Sequence, residues 1–384
     1  MQTITTTDAL AAFCTEAATQ SYVTVDTEFL RERTYYSKLC LVQLAHDGGS
    51  DAAVLVDPLS NGLSLDPLYE LFANPSVTKV FHAARQDLEI FHNDRGIIPA
   101  PLFDTQVAAM VCGFGEQVGY ETLVRKLAGQ SLDKSSRYTD WSRRPLSDAQ
   151  KKYAIGDVTH LRVIYEKLRD QLARNGRERW VAEEMAVLTD PATYVNDPAD
   201  SWKRVKTRTN SPRYLAIVRE LARFRESYAQ ERDIPRTRIF KDDAVNELAS
   251  TKPKSLQDLG RSRLLLREAR KGDIADGILK AIETALALPQ DQLPQPNRSR
   301  DRMQVNPALA DLLRVLLKAK SEGEGVASKL IATADDLDAI SAGIRDVPAL
   351  TGWRKEVFGN DALRLCAGEV ALTAKGQTVK VVAL

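Results

Sequence analysis

Cysteine is scarce in this chain: Cys14, Cys40, Cys112 and Cys366 are the four in 384 residues, and no two have metal-ligand spacing. That argues against a cysteine-built zinc site or a disulfide scaffold and points to isolated buried or semi-buried thiols in a reducing compartment. His46, His92 and His160 likewise lack ligand spacing. No uninterrupted apolar run approaches the ~20 residues that span a bilayer. The opening MQTITTTDAL has neither the basic nor the apolar region of a signal peptide. A cytoplasmic protein, away from membranes, is therefore expected. An excess of charge is also missing: 53 Lys and Arg face 52 Asp and Glu, a net charge of +1. No global positive field announces a nucleic-acid partner. A local basic groove stays open, because runs such as Lys203–Arg208 (KRVKTR) can be offset by acidic surface elsewhere, or can simply be solvated.

What is present is ample core material, 43% hydrophobic against 27% charged, in a chain long enough for two or three domains. Within it, five residues draw the eye. Asp26 and Glu28 lie in a run from Ser21 to Leu30 whose Tyr22, Val23 and Val25 favour a β-strand. Strand side chains repeat every second residue, so the two carboxylates share a face. They repel each other unless neutralised, and hard oxygen ligands suit Mg²⁺ or Mn²⁺. Asp87 belongs to Val80–Phe91 (VFHAARQDLEIF), where a short apolar strand leads into a helix with Leu88, Ile90 and Phe91 on its buried side. Tyr153 and Asp157, at i,i+4 in Lys151–Leu161 (KKYAIGDVTHL), share one side of a helix. Gly156 between them could let another segment approach closely. Taken singly, each feature has a commonplace reading: a solvated acidic pair, a helix cap, a surface pair. Asp104, in Phe103–Gln106 (FDTQ), reads as the cap of the helix that follows.

In combination and in this order, the residues resemble the three motifs of the DEDD exonucleases, in the subclass whose third motif carries tyrosine. Asp26 and Glu28 fit the first motif, Asp87 the second, and Tyr153 with Asp157 the third. The runs Asp26–Tyr36 (DTEFLRERTYY), Leu41–Leu44 (LVQL) and Asp140–Leu146 (DWSRRPL) narrow the resemblance to the ribonuclease D family. That resemblance implies an α/β N-terminal domain of the ribonuclease H-like fold, its acidic residues gathered on one side of the central sheet. Periodicity alone does not separate that fold from other three-layer α/β arrangements.

Strand candidates Tyr22–Glu28, Leu39–Ala45, Ala53–Val56 and Lys79–Phe81, with helical candidates Leu65–Phe72, Leu88–Asn93 and Gln150–Ala173, fill the first domain, residues 1–190. Thr189–Pro198, with two prolines, opens a linker taken as 191–210. A helical domain follows over 211–288, with Ser211 and Pro212 as cap and first helical residue. A Pro/Gln/Arg-rich linker spans 289–305. A second helical domain takes 306–384, with a stripe of Leu309, Leu312, Leu313, Leu316 and Leu317 and a terminal hairpin turning at Lys375–Gly376. Both all-α domains resemble HRDC modules, the first through Ala229–Leu248, the second more distantly through Gly325–Leu337 and Leu350–Phe358.

The family implies a hydrolytic 3′→5′ exoribonuclease that releases 5′-mononucleotides with two divalent cations, Mg²⁺ or Mn²⁺, about 3.5–4 Å apart. Asp26 would bridge both ions, Glu28 and Asp157 would complete the ion that acidifies water, and Asp87 would help hold the ion at the leaving 3′-oxygen. Tyr153, a phenol with an ordinary pKa near 10, would orient the water rather than deprotonate it. Phe29 would wedge against a terminal base or else belong to the core. His82 would contact the terminal sugar or phosphate or else serve as a structural hydrogen-bonder. The expected substrates are transfer-RNA precursors and other small structured RNAs, handled by a monomer without an organic cofactor. Three rivals remain at this stage: a related enzyme acting on DNA, since nothing in the motifs reports a 2′-hydroxyl contact, an RNA-binding scaffold with an idle nuclease domain, and helical modules that bind protein partners rather than RNA.

Overall fold

The computed structural model describes residues 2–49, 52–132, 136, 139–295 and 304–384. The chain divides into two compact units, one of residues 1–28, 39–193 and 303–384, the other of residues 29–38 and 194–302.

The first unit opens with β1 (Gln2–Ile4), α1 (Thr7–Ala17), β2 (Tyr22–Leu30), β3 (Lys38–His46) and β4 (Ala53–Val56). It continues with α2 (Asp66–Ala73), β5 (Thr78–Phe81), α3 (Arg85–Arg95), β6 (Leu102–Asp104), α4 (Thr105–Val111) and α5 (Tyr120–Leu123), then α6 (Asp148–Asn175) and α7 (Glu178–Leu188). The strands form one sheet in the order β1-β4-β3-β2-β5-β6. It is mixed: β1 pairs parallel with β4, β4 antiparallel with β3, and β5 parallel with both β2 and β6. β2 therefore sits inside the sheet, and its Tyr22, Val23, Thr24 and Val25 are all buried. A strand covered on both faces tolerates such a run, where a half-exposed one would alternate.

Two local devices place the helices that matter. α6 starts on a capping box, in which the Ser147 side chain accepts from the Gln150 backbone and Gln150 answers to the Ser147 N–H, and it ends at Gly176 in the left-handed region. α3 has no side-chain cap of its own. Its entry is held instead by Asp104, whose carboxylate accepts from the backbone N–H of Ala83 at 3.0 Å and Ala84 at 2.8 Å while also capping α4. Ala83 has φ +58°, an uncommon conformation for a residue with a Cβ, so the turn needs that support.

The second unit is helical: α8 (Pro212–Arg232), α9 (Arg236–Ile239), α10 (Asp242–Thr251), α11 (Leu256–Gly260) and α12 (Gly272–Ala287). Leu215, Val218, Leu221, Phe240, Val245, Ile278 and Ile282 belong to its core. Pro212 takes the first helical position of α8, whereas Ser211 stands at the cap without making the side-chain capping bond. Residues 191–210, expected to form a linker, include 3-10 turns at Pro191–Thr193 and Pro198–Arg204. Residues 29–38 join this unit through Tyr35, whose hydroxyl donates to Glu226 at 2.5 Å, and through the N–H groups of Tyr35 and Tyr36, both 3.0 Å from Asp233 Oδ1.

Of the second expected linker, 289–305, residues 296–303 lie outside those described. The remaining elements belong to the first unit: α13 (Pro307–Glu324), α14 (Ser328–Ile331), α15 (Ala334–Ser341), α16 (Gly352–Arg354), α17 (Asn360–Cys366) and the antiparallel hairpin β7 (Val370–Lys375) and β8 (Thr378–Ala383). Leu313, Leu316, Trp353 and Phe358 are in their core. Leu312, expected in the apolar stripe, is 45% exposed, because one face of α13 is too narrow to bury all five leucines. Among the described residues no helix is long and apolar enough to cross a membrane.

Candidate active site

The packing of β2 against α6 brings three carboxylates from two elements to one point. Oxygens of Asp26 and Glu28 on β2 and of Asp157 on α6 lie within 4.8 Å of one another. Asp157 is buried, and the other two are half-buried. A cavity of about 250 Å³ adjoins them, lined by Asp26, His82, Tyr120, Glu121, Tyr153 and Asp157 among others. Asp87, in the first turn of α3, stands beside this group rather than in it. Its carboxylate accepts from the buried Thr27 hydroxyl, and it feels the charge of Asp26. Phe29 is the next residue of β2 after Glu28 and is half-buried.

Burial shows in the protonation of Asp26 and Asp87. Withdrawal from water pushes the Asp26 carboxyl up to about 7, against the lowering effect of a hydrogen bond from the Thr27 backbone. Burial, then the neighbouring Asp26 charge, holds Asp87 well above the usual carboxylate range. Such a set of hard oxygen donors, close together and with Asp26 and Asp87 reluctant to ionise unaided, fits a divalent cation, which would replace their protons as the neutralising charge. His82 is lowered by burial, which favours its neutral form, and its Nδ1 lies 3.0 Å from Thr105 Oγ1.

Two further side chains at this site are given no role by the sequence. Tyr120 is raised well above its ordinary range by burial and then by the charges of Asp157 and Asp26, so it remains a phenol. Its hydroxyl donates to the backbone carbonyl of Asp157, and its ring lies 5.3 Å from that of His82. Thr27, between the two first-motif acids, holds Asp87. Neither carries a signal in the sequence: a tyrosine in a short helix and a threonine in a strand are ordinary there. The expectation that Gly156 admits a neighbouring segment needs correction. Among the described residues, a Cβ at that position would meet only His160 of the same helix, at 3.9 Å, which is ordinary contact.

Residues 1–173 match the family described as 3′-5′ exonuclease, DNA_pol_A_exo1, and residues 215–282 match the HRDC domain. Ribonuclease D of Jannaschia sp. (strain CCS1) is 65% identical over 381 residues, 99% of either chain. Ribonuclease D of Granulibacter bethesdensis is 51% identical over 99% of this chain and 96% of its own. Among solved structures, Escherichia coli RNase D, described as an exoribonuclease involved in structured RNA processing, is 31% identical with a TM-score of 0.84, covering 96% of this chain and 98% of that one. The mixed sheet with its flanking helices is a ribonuclease H-like exonuclease domain, and an HRDC domain follows it. The HRDC match falls once, inside the first helical module.

Proposed function

We propose, since the chain belongs to the ribonuclease D family of hydrolytic 3′→5′ exoribonucleases, that it releases 5′-mononucleotides at the site built from Asp26, Glu28, Asp87, Tyr153 and Asp157. Divalent-metal use follows from the exonuclease fold; two ions, Mg²⁺ or Mn²⁺, are the finer reading. The observation that carries it is the convergence of the Asp26, Glu28 and Asp157 oxygens within 4.8 Å. Asp26 would serve both ions, Glu28 and Asp157 the one beside the attacking water, and Asp87 the one beside the leaving 3′-oxygen. When bound, the cations polarise the phosphate and acidify the water.

The other side chains work by position. The Tyr153 hydroxyl, on the same cavity as Asp26 and Asp157, orients the water for in-line attack. Tyr120 donates to the Asp157 carbonyl and steadies that turn of α6. His82, neutral and set against Tyr120, meets the terminal sugar or phosphate, and Phe29 wedges against the terminal base. We read 1–190 as the nuclease, 211–288 as the HRDC domain and 306–384 as a second, diverged HRDC-like domain, with linkers at 191–210 and 289–305. The helical domains guide structured RNA, transfer-RNA precursors among them, to a monomeric cytoplasmic enzyme.

The test is digestion of 5′-labelled RNA beside a matched DNA strand. Stepwise 3′ shortening of RNA with release of 5′-mononucleotides, present with Mg²⁺ or Mn²⁺ and lost on chelation, is expected. Equal digestion of DNA would overturn the sugar preference, and chelator-resistant activity would overturn the metal reading.

A further inference from the structure

Residues 139–146, which lead into α6, contain no helix or strand, yet they are tied down from several sides. Arg144 is the anchor, with all five guanidinium N–H groups committed. Nε donates to Asp57 Oδ2 at 2.6 Å, and Nη2 donates to Asp57 Oδ1 at 2.7 Å and to the Cys40 carbonyl at 2.6 Å. Nη1 donates to the carbonyls of Trp141 at 2.7 Å and Arg143 at 2.9 Å. A two-pronged arginine–carboxylate pair sets orientation as well as distance. Burial would raise the Asp57 carboxyl, but the hydrogen bonds and charge of Arg144 outweigh it and hold it below the usual range, so the pair stays ionised. At the helix side, Gln150 of the capping box donates to Thr139 Oγ1 at 3.1 Å.

This bracing holds an indole against a phenol. Trp141 is 2% exposed, and its ring centroid lies 6.1 Å from that of Tyr153, tilted by 37°. Among the described residues its buried indole N–H meets no hydrogen-bond partner, a cost that a phenylalanine would avoid. We infer that Trp141 is a positioning residue for hydrolysis: its ring fixes the orientation of the Tyr153 phenol, and the Arg144–Asp57 fork holds Trp141 to that task. The inference rests on the reading of Tyr153 as the group that orients water. The indole gives the phenol a wide, stiff wall, and a displacement of ~1 Å in such a group can cost about a hundredfold in rate.

The test is a double-mutant cycle in the full chain, reading kcat and KM on a short RNA at saturating divalent metal, with thermal melting beside it. Trp141→Ala should lower kcat at least tenfold at unchanged KM, and Trp141→Phe should restore most of it. In a Tyr153→Phe background, Trp141→Ala should add nothing, because the group it positions is gone. Equal fold-losses in both backgrounds, or a loss confined to KM, would overturn the positioning role. Should Trp141→Ala fail to fold, Arg144→Lys, which keeps the charge and loses the fork, takes its place in the cycle. A kcat loss that vanishes in the Tyr153→Phe background then supports the role, and an equal loss in both backgrounds overturns it. Full turnover by Tyr153→Phe alone would withdraw the role given to tyrosine, and with it this inference. A deficient Tyr153→Phe with additive Trp141→Ala would sink the positioning role only.

Discussion

Buried carboxylates are handled in two opposite ways in this protein. Away from the acidic cluster Asp104 is held by backbone N–H groups, and Glu184, Glu226 and Asp57 each meet a guanidinium. Glu184 on α7 accepts from the Trp353 indole at 2.9 Å and from Arg354 at 2.7 Å, beside a stack of Trp180 on Trp353 at 4.7 Å. Glu226 on α8 is 1% exposed and has Arg204 at 3.2 Å, Arg236 at 3.6 Å and the Tyr35 hydroxyl. Asp57 has Arg144. At the active site, by contrast, Asp26, Glu28 and Asp157 crowd together, and burial raises the Asp26 carboxyl. Arginine is plentiful elsewhere and is the ordinary remedy for a buried carboxylate. Here three acids converge, a set of hard oxygen donors that suits a cation from solution, which can be shared with a phosphate as a fixed side chain cannot.

The sharpest way to break this contrast is to remove the central acid. Asp26→Asn should lower turnover by ~1000-fold, the scale of losing a principal charge-stabilising group, measured as mononucleotide release per folded molecule. Near-parental turnover would mean that the acidic cluster is not the reactive centre. Tyr153→Phe comes next, with a loss of about a hundredfold in kcat at unchanged metal affinity. Metal affinity can be followed by titrating the chelated protein with Mn²⁺ and reading the melting temperature. Saturation at a hundred times Kd should stabilise the parent by about 2.7 kcal/mol, and Asp26→Asn much less.

A paired carboxylate should respond differently. Glu184→Gln leaves Arg354 without its counter-charge and should cost about 2 kcal/mol, less than a fully buried pair because Arg354 keeps some exposure to water. Turnover per folded molecule should stay near parental, so a large loss of kcat with an unchanged melting curve would contradict the division of labour.

The contrast also extends to pH, where the two kinds of carboxylate should have opposite signs. Asp26 is raised in the folded state from its ordinary value near 4 to about 7, so across that window the folded protein holds the extra proton. The chelated protein should therefore lose stability as pH rises from 4 to 7, and Asp26→Asn should flatten that slope. Asp57 is lowered, so its contribution is complete above the ordinary carboxylate pKa and is lost as pH falls through the folded value. Asp57→Asn should accordingly flatten only the acid limb of the melting-temperature profile.

Legibility followed the range of the interaction. Asp26 with Glu28 could be paired from strand alternation, and Tyr153 with Asp157 from helical spacing, because both rules act within four residues. Asp104 as a cap was equally local, and the structure extends its work to the Ala83–Ala84 turn, 20 residues back. Tyr120, the Thr27 hold on Asp87, the Arg144–Asp57 fork and the Glu184–Arg354 pair gave no such signal. Their partners lie 37, 60, 87 and 170 residues apart, and no short period reports them. The second helical module makes the same point: its apolar stripe on α13 was visible, but its packing into one unit with the nuclease elements was not.

By itself, then, the sequence determined the strand and helices that carry the acids, the face each acid takes on its own element, and the family to which their order belongs. Only the tertiary structure decided that β2 and α6 deliver their acids to one point, that Asp87 leans on Thr27, and which buried carboxylates receive an arginine. The reason is that dihedral preference and side-chain periodicity act along the chain, whereas desolvation and Coulomb energy depend on distances set by the packed sheet and helices.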